Sequence, residues 1–275
     1  MNRTETTKAP VRVAVFGATG RMGQSLIRAI HDSTDFELVG ALASAESPAL
    51  GQDAGAVAGL ARAFGVAVTA DRAAALARAE VALDFTLPGA TLANLAACLG
   101  CGTRLLVGTT GLPGEVLAAL DAASGRLAVL RAPNTSLGVA LLARLVEQAA
   151  AALPPEYDIE VLEAHHRYKA DAPSGTALRL GEAAAAGRGT ELRGAGGDRG
   201  RQGPRHEGEI GFAVIRGGDI VGEHTVFFAG PGERLELTHR AHDRMTFAYG
   251  ALRAAEWLRA RPPGAYAMAD VLGFD

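Results

Sequence analysis

The feature that most constrains the fold is an alternation in the first 130 residues. Short apolar runs, four to eight residues long, alternate with Ala-rich helical stretches. Val11–Phe16 reads as a strand and Arg21–His31 as a helix. Phe36–Ala43 is a strand, Ala58–Phe64 a short helix and Val66–Thr69 a short strand. Asp71 caps a helix through Ala79, because Asp accepts a hydrogen bond from first-turn amides. Val81–Phe85 is a strand, and Pro88 opens the next helix. Arg104–Val107, Pro113–Ser124 and Leu127–Leu130 read as strand, helix and strand. This spacing predicts βαβ units around a parallel sheet, a Rossmann-type α/β domain.

After Pro133 the pattern changes. A long helix, Leu137 to Ala152, ends before Pro154-Pro155. Tyr157–Glu163 is a strand and Ser174–Ala186 a helix, followed by a Gly/Arg loop at 187–208. Three strands, about 209–216, 219–229 and 233–240, are linked by turns at Gly217-Gly218 and Pro231-Gly232. Helices beside such strands predict an α+β second domain with an open mixed sheet. The last helix, Met245–Arg259, is Ala-rich like the first half and is expected to pack there. Two domains are expected, 1–136 with 245–275, and 137–244.

Composition removes whole classes. With 48% hydrophobic residues the chain of 275 is not disordered. A net charge of −3 argues against a nucleic-acid partner. The longest charge-free run, 85 to 103, carries Pro88, Asn94 and several glycines and threonines, so no membrane span is expected. No signal-peptide pattern is visible, which predicts a cytoplasmic location. Two cysteines exclude a disulfide scaffold and a four-sulfur zinc site.

Val11–Phe16 runs into Gly17-Ala18-Thr19-Gly20-Arg21-Met22-Gly23 and then a helix. Glycines here let a pyrophosphate approach the helix N-terminus, where amides and dipole favour anions. The spacing is G-x-x-G-x-x-G, not the strict fingerprint, and an ordinary glycine turn also fits it. The second strand ends Ala43-Ser44, with no acid before Glu46 to hold an adenosine ribose. Three further strand ends carry small polar residues: Asp84-Phe85-Thr86, Gly108-Thr109-Thr110-Gly111 and Ala132-Pro133-Asn134. Each alone fits plain turn chemistry; together they favour a cofactor crevice at the carboxyl edge of the sheet.

The densest chemistry is Glu163-Ala-His165-His166-Arg167-Tyr168-Lys169-Ala-Asp171-Ala-Pro173-Ser174-Gly175-Thr176. Only two of 27 basic residues are lysines, Lys8 in the polar N-terminal tail and Lys169 here. Ser174-Gly175-Thr176 opens a helix whose amides suit a carboxylate. His165, His166 and Lys169 place cationic donors before it, which suits a dicarboxylate substrate and a proton moved near neutral pH. A solvated basic turn beside a capped helix is the alternative.

These segments resemble the 4-hydroxy-tetrahydrodipicolinate reductase family, long called dihydrodipicolinate reductases. The likeness rests on GATGRMG (17–23), DFT-x-P (84–88), GTTG (108–111), APN-x-S-x-GV (132–139), EAHHR-x-K-x-DAPSGTAL (163–178), IGF with RGGDIVGEHTVFF (210–228) and ERLELTHRA (233–241). It implies a reductase of lysine and diaminopimelate synthesis using NADH or NADPH and no metal. It further implies that His165 donates or accepts a proton, that Lys169 is a second donor, and that His166, Gly175 and Thr176 bind substrate beside Ser174. Cofactor contacts would come from Gly17, Ala18, Thr19, Gly20, Arg21 and Met22, from Gly108, Thr109 and Thr110, and from Ala132, Pro133, Asn134 and Thr135. A homotetramer built through the open sheet is implied as well. Relatives often carry an acidic and then a basic residue where this chain has Ala43 and Ser44, which leaves the choice between the two cofactors open. Another two-domain amino-acid dehydrogenase and a non-catalytic dinucleotide sensor are the rival readings, and a proton-moving His165/Lys169 pair speaks against both.

Three other features read as bland. Cys98 and Cys101 close a helix, the end that disfavours a thiolate, and are expected to be buried structural thiols. His224, His239 and His242 are spread over strands and a turn, and the first two are expected to be structural. The five arginines of 188–206 are expected to decorate a solvated loop, with a lid over substrate as the alternative.

Overall fold

A computed structural model describes residues 9–192 and 204–274. The chain divides into two compact units, Met1–Thr135 with Met245–Asp275, and Ser136–Arg244.

The first unit begins β1 (Val11–Phe16), α1 (Arg21–His31), β2 (Phe36–Leu42), α2 (Ala54–Val57), β3 (Val68–Thr69), α3 (Arg72–Leu76) and β4 (Val81–Asp84). It continues with α4 (Pro88–Cys101), β5 (Arg104–Val107), α5 (Gly114–Ala123) and β6 (Ala128–Arg131). The second unit holds α6 (Leu137–Ala152), β7 (Asp158–His165), α7 (Gly175–Gly187), β8 (Ile210–Arg216), β9 (Gly222–Gly230) and β10 (Glu233–Ala241). The chain then returns to the first unit with α8 (Met245–Leu258), β11 (Gly264–Tyr266) and α9 (Met268–Val271).

In the first unit seven strands lie in the order β11-β6-β5-β4-β1-β2-β3, and every neighbouring pair is parallel. The order reverses at β1 and β4, the point where a doubly wound sheet opens a ligand crevice. Helices cover the strands, so strand residues on both faces are buried: Val13, Ala14, Val15 and Phe16 of β1 are all inaccessible. Phe16, Leu83, Leu105 and Leu120 are fully buried, each worth roughly 1.5–3 kcal/mol in hydrophobic transfer. α8 packs against α1, as its Ala-rich face suggested.

The structure corrects several boundaries. Residues 58–64 are turns, not a helix; the helix there is the preceding single turn, α2. Gly59 adopts φ +76, outside helical space, and the Asp53 carboxylate accepts from the amides of Gly55, Phe64 and Gly65. These bonds tie both ends of the segment to one side chain and hold it as a loop. The helix capped by Asp71 stops at Leu76 instead of Ala79. The strand β11, absent from the sequence reading, pairs with β6 and closes that edge of the sheet.

The second unit is a four-stranded sheet, β10-β9-β7-β8, with α6 and α7 against one face. Leu142 and Val146 of α6, Leu180 and Ala184 of α7, and Ile159, Val161, Val226 and Phe228 of the sheet form its core. Although β8 and β9 are consecutive, they are not neighbours: β7 lies between them, parallel to β8 and antiparallel to β9. Among the described residues no helix is long and apolar enough to cross a membrane.

The two cysteines part company. Cys98 is fully buried, and burial, then the charge of Asp84, pushes its thiol far above the ordinary range. Cys101 is exposed, contrary to the expectation of two buried thiols, because α4 turns it outward in its last residue. Cys101→Ser should therefore leave both turnover and the melting temperature unchanged. Cys98→Ser buries a hydroxyl in an apolar cluster and should cost about 1–3 kcal/mol in denaturant unfolding, with turnover retained. Equal stability of the two variants would contradict this placement.

Of the five loop arginines, Arg188 and Arg205 are not solvent decoration. Arg188 donates to the carbonyls of Leu153 and Tyr157, at 2.7 and 3.0 Å. Arg205 is paired with Glu160 and Asp158 and donates to the carbonyl of Ile159. The remaining three, at 193, 199 and 201, lie outside the described residues, as does half of the expected loop or lid.

Candidate functional site

The candidate residues fall into two groups, one in each unit. In the first unit they line the carboxyl edge of the parallel sheet. β1 ends at Phe16, and the amides of Gly17 and Ala18 both donate to the Leu42 carbonyl at 2.9 Å. Gly17 has φ +80, and a Cβ there would stand 2.6 Å from the Phe85 carbonyl oxygen, so β1 and β4 close up only around a glycine. A Cβ on Gly23 would lie 2.1 Å from the Gly17 oxygen, so the first turn of α1 presses onto the strand end. Gly20 is the N-cap of α1 and brings no side chain to bond the first-turn amides. The turn is thus a backbone-lined cradle at a helix N-terminus, which fits the pyrophosphate of a dinucleotide.

Next to it, Asp84 at the end of β4 is buried and accepts from the Thr86 amide at 3.0 Å, the Thr86 hydroxyl at 2.6 Å and the Asn94 amide group at 3.1 Å. Thr109 Oγ1 reaches the Thr86 carbonyl at 3.2 Å, binding the end of β5 to that of β4. Gly108, Thr109 and Thr110 follow β5, and Ala132, Pro133, Asn134 and Thr135 follow β6, on the same edge. Thr135 is turned inward, its hydroxyl donating to the Phe247 carbonyl at 2.6 Å. Ala43 is buried at the end of β2, Ser44 is exposed, and Arg21 is exposed at the start of α1.

In the second unit the sheet register builds the site. β7 runs to His165, two residues beyond the expected end, because its pairing with β8 continues to Arg216. Alternation then sends Glu163 and His165 to the face that α6 and α7 cover, together with Arg216 of β8 and His224 of β9. Glu163 lies opposite His224, and His224 opposite His239 of β10. Polar side chains thus share one end of a face whose remainder is apolar core.

Glu163 is fully buried and gathers four donors. Its Oε1 accepts from Arg216 Nη2 at 2.7 Å and the Ser174 amide at 3.0 Å. Its Oε2 accepts from Arg216 Nη1 at 2.8 Å and pairs with His165 Nδ1 at 2.5 Å. Burial alone would raise this carboxyl; the bonds from His165 and Arg216, the charge of His165 and the Ser174 amide overcome it and bring the pKa to about 2. An ionised Glu163 takes a proton-bearing Nδ1 as its partner, which leaves Nε2 as the exchanging nitrogen of His165. Gly222 makes room for that edge: a Cβ there would be 3.1 Å from His165 Nε2.

His224 packs its ring edgewise on His165, centroids 5.1 Å apart, and its Nε2 is 3.1 Å from the Ser174 hydroxyl. Burial first, then the charge of His165, lowers its pKa to about 3, so it is neutral at physiological pH. Ser174 is the N-cap of α7, its hydroxyl accepting from the Ala177 amide at 3.1 Å, and Gly175 and Thr176 form the first turn. Lys169 Nζ bonds both oxygens of Asp171 at 2.8 Å, and the Asp171 carbonyl accepts from Arg216 at 2.6 Å. His166 lies in the same turn, its ring 6.5 Å from that of Tyr168.

The fold therefore links His165, Ser174 and, through Asp171 and Arg216, Lys169. Glu163, Arg216, Asp171 and His224 join them, although the sequence reading gave the first three no role and took His224 as structural. Their signals were present: Glu163 and His165 alternate on one strand, and Arg216 opens the RGGDIVGEHT segment.

Residues 11–135 match a family model described as dihydrodipicolinate reductase, N-terminus, and residues 138–272 one described as dihydrodipicolinate reductase, C-terminus. A 4-hydroxy-tetrahydrodipicolinate reductase of Alkalilimnicola ehrlichii is 54% identical over 264 residues, 95% of this chain and 98% of the relative. One of Nitrosomonas europaea is 48% identical over 266 residues, 96% of this chain and 98% of the relative. Among solved structures, a dipicolinate-bound dihydrodipicolinate reductase from Paenisporosarcina sp. TG-14 superposes with a TM-score of 0.75 at 24% identity, covering 95% of this chain and 98% of that one. An amine dehydrogenase from Mycobacterium smegmatis shares the fold, with a TM-score of 0.61 at 17% identity and 94% and 95% coverage. With both family models matched end to end and curated relatives near half identity, the chain belongs to the dihydrodipicolinate reductase family.

Proposed function

We propose that this protein is an NAD(P)H-dependent reductase that delivers hydride to the dehydrated form of 4-hydroxy-tetrahydrodipicolinate, giving tetrahydrodipicolinate. The observation that carries the reading is the Glu163–His165 pair placed beside the start of α7, in a chain 54% identical to a protein of that name. The unit of Met1–Thr135 with Met245–Asp275 would bind the dinucleotide and Ser136–Arg244 the substrate. The nicotinamide, when bound, supplies the hydride for the conjugated double bond left after water is lost.

The residues of this chain supply the rest. The backbone of Gly17–Met22 would hold the pyrophosphate, and Gly108–Thr110 and Ala132–Thr135 would border the nicotinamide. The start of α7, at Gly175 and Thr176, would hold a substrate carboxylate, because a helix dipole favours an anion at its N-terminus. His166 and Lys169 add cationic hydrogen bonds. Glu163 fixes His165 through Nδ1, so protons pass at Nε2; one end of the double bond takes the hydride and the other end takes up one proton. Positioned proton transfer of this kind contributes roughly 10²–10⁴-fold.

Two tests address cofactor and substrate. With freshly made substrate, both NADH and NADPH should be oxidised, with kcat/KM values within about tenfold, or 1.4 kcal/mol. Ala43 and Ser44 offer neither an acid for ribose hydroxyls nor a basic pair for a 2′-phosphate. No turnover with either cofactor would remove the proposed activity. A hundredfold preference for NADPH abolished by Arg21→Ala would assign discrimination to Arg21. Lys169→Ala should raise KM and lower kcat, together losing about 1.5–3 kcal/mol, the worth of a charge-assisted bond. If Lys169→Arg matches wild type, a fixed charge suffices and Lys169 donates no proton.

A homotetramer through the four-stranded sheet is part of this reading. Its support is the face away from α6 and α7, where Ile215 is exposed and Thr225 and Thr238 bond across strands at 3.0 Å. Light scattering at working concentration measures the state. A cytoplasmic location is the matching expectation for a biosynthetic enzyme.

A further inference from the structure

We propose that His224 is a positioning residue, whose hydrogen bond with the Ser174 hydroxyl sets the start of α7 against His165. The inference deepens the proposed function and rests on its reading of the α7 start as a carboxylate site.

Ser174 Oγ accepts from the Ala177 amide, and its other hydrogen-bond partner is His224 Nε2, at 3.1 Å. A neutral imidazole and a hydroxyl can each give or take the proton of that bond, so the two are joined in either tautomer. His224 is only 3% exposed, and its Nδ1 is buried with no hydrogen-bond partner among the described residues, so among them Ser174 is the ring's one polar anchor. The backbone amide of Ser174 is meanwhile held by Glu163 Oε1 at 3.0 Å. The N-cap of α7 is thus pinned at two atoms, by Glu163 on β7 and by His224 directly opposite Glu163 on β9.

The same ring meets His165 edgewise at 5.1 Å. One side chain from β9 thereby touches both the imidazole that would move protons and the cap of the helix that would hold the carboxylate. The charges that face it are those of Glu163, His165, His239 and Lys169. Losing the hydrogen-bonding nitrogen of His224 leaves the Ser174 hydroxyl without its partner on β9. It also frees the α7 start to shift from the position that Glu163 alone defines.

The experiment measures the affinity for dipicolinate by calorimetry, beside KM and kcat and the thermal melt, in His224→Phe, His224→Gln, Ser174→Ala and the His224→Phe/Ser174→Ala double variant. Phe keeps a ring and loses the hydrogen-bonding nitrogen; Gln keeps a hydrogen-bonding amide near the position of Nε2. His224→Phe should bind dipicolinate about tenfold more weakly and show a matching rise in KM, the size expected for one buried hydrogen bond. His224→Gln should recover to within about threefold of wild type, and the double variant should be no weaker than Ser174→Ala. Wild-type affinity in folded His224→Phe overturns the proposal, as does an additive double variant. If His224→Phe does not fold, the remaining pair decides: Ser174→Ala at wild-type affinity, or His224→Gln as weak as Ser174→Ala, overturns it. Because binding needs no turnover, the two readings fail separately. Wild type that ignores dipicolinate removes the carboxylate site and His224 with it, whereas wild type that binds without turning over removes only the reaction.

Discussion

His165→Gln should bind cofactor like wild type, melt within a few degrees of it, and lose about 10²–10⁴-fold in kcat. Gln spans nearly the length of the imidazole and its amide can still meet Glu163 Oε2, so the fold keeps its contact at that atom. What disappears is a ring nitrogen that can take up and give back a proton. The loss should fall on kcat and on kcat/KM alike, because the interaction removed exists only while the proton moves. Cofactor affinity should be untouched, since the glycine turn after β1 belongs to the other unit. The measurement is steady-state kcat beside a fluorescence titration of cofactor. An unchanged kcat would take His165 out of the chemistry, and a parallel loss of cofactor affinity would mean that the variant disturbs more than the proton.

Much of this architecture is readable locally. Apart from β11, each strand of the parallel sheet is part of an apolar run bounded by turn residues, and the caps at Asp71 and Ser174 stand one residue before their helices. What local patterns do not contain is pairing between distant strands. The insertion of β7 between β8 and β9 depends on contacts among segments far apart in sequence, so β8 and β9 read as neighbours although they are not. The same limit hid half of the site. Glu163 and Arg216 are 53 residues apart, and only the parallel register of β7 and β8 brings them together. Once β8 is known to run beside β7, inward alternation places Arg216 next to His165 and leaves Glu163 no exit to solvent. The false helix at 58–64 has the opposite cause: its Ala, Leu and Phe favour a helix, but Gly59 and the bonds of Asp53 override propensity.

Glu163→Gln should be the most destabilising single change in the second unit. The wild-type carboxylate offers acceptors to four donor atoms, two from Arg216, one from His165 and one from Ser174. A carboxamide of the same shape offers one oxygen and one NH₂, so whichever way it is turned, two donors face another donor. Arg216, only 14% exposed at its side chain, also loses its counter-charge. Breaking a buried pair from one side costs about 3–5 kcal/mol, and chemical denaturation should show a loss of that order. The pH dependence gives an independent sign. Glu163 is depressed from the ordinary 4.5 to about 2 in the folded protein, burial being outweighed by its hydrogen bonds. A depressed carboxylate contributes stability above its unfolded pKa, and the contribution is lost as pH falls from about 4.5 through about 2. The wild type should therefore lose more stability across that window than Glu163→Gln, and the two curves should converge in acid. Turnover should fall too, because His165 loses the anion that fixes Nδ1. Parallel stability curves, with the variant as stable as wild type at neutral pH, would mean that Glu163 neither anchors Arg216 nor orients His165.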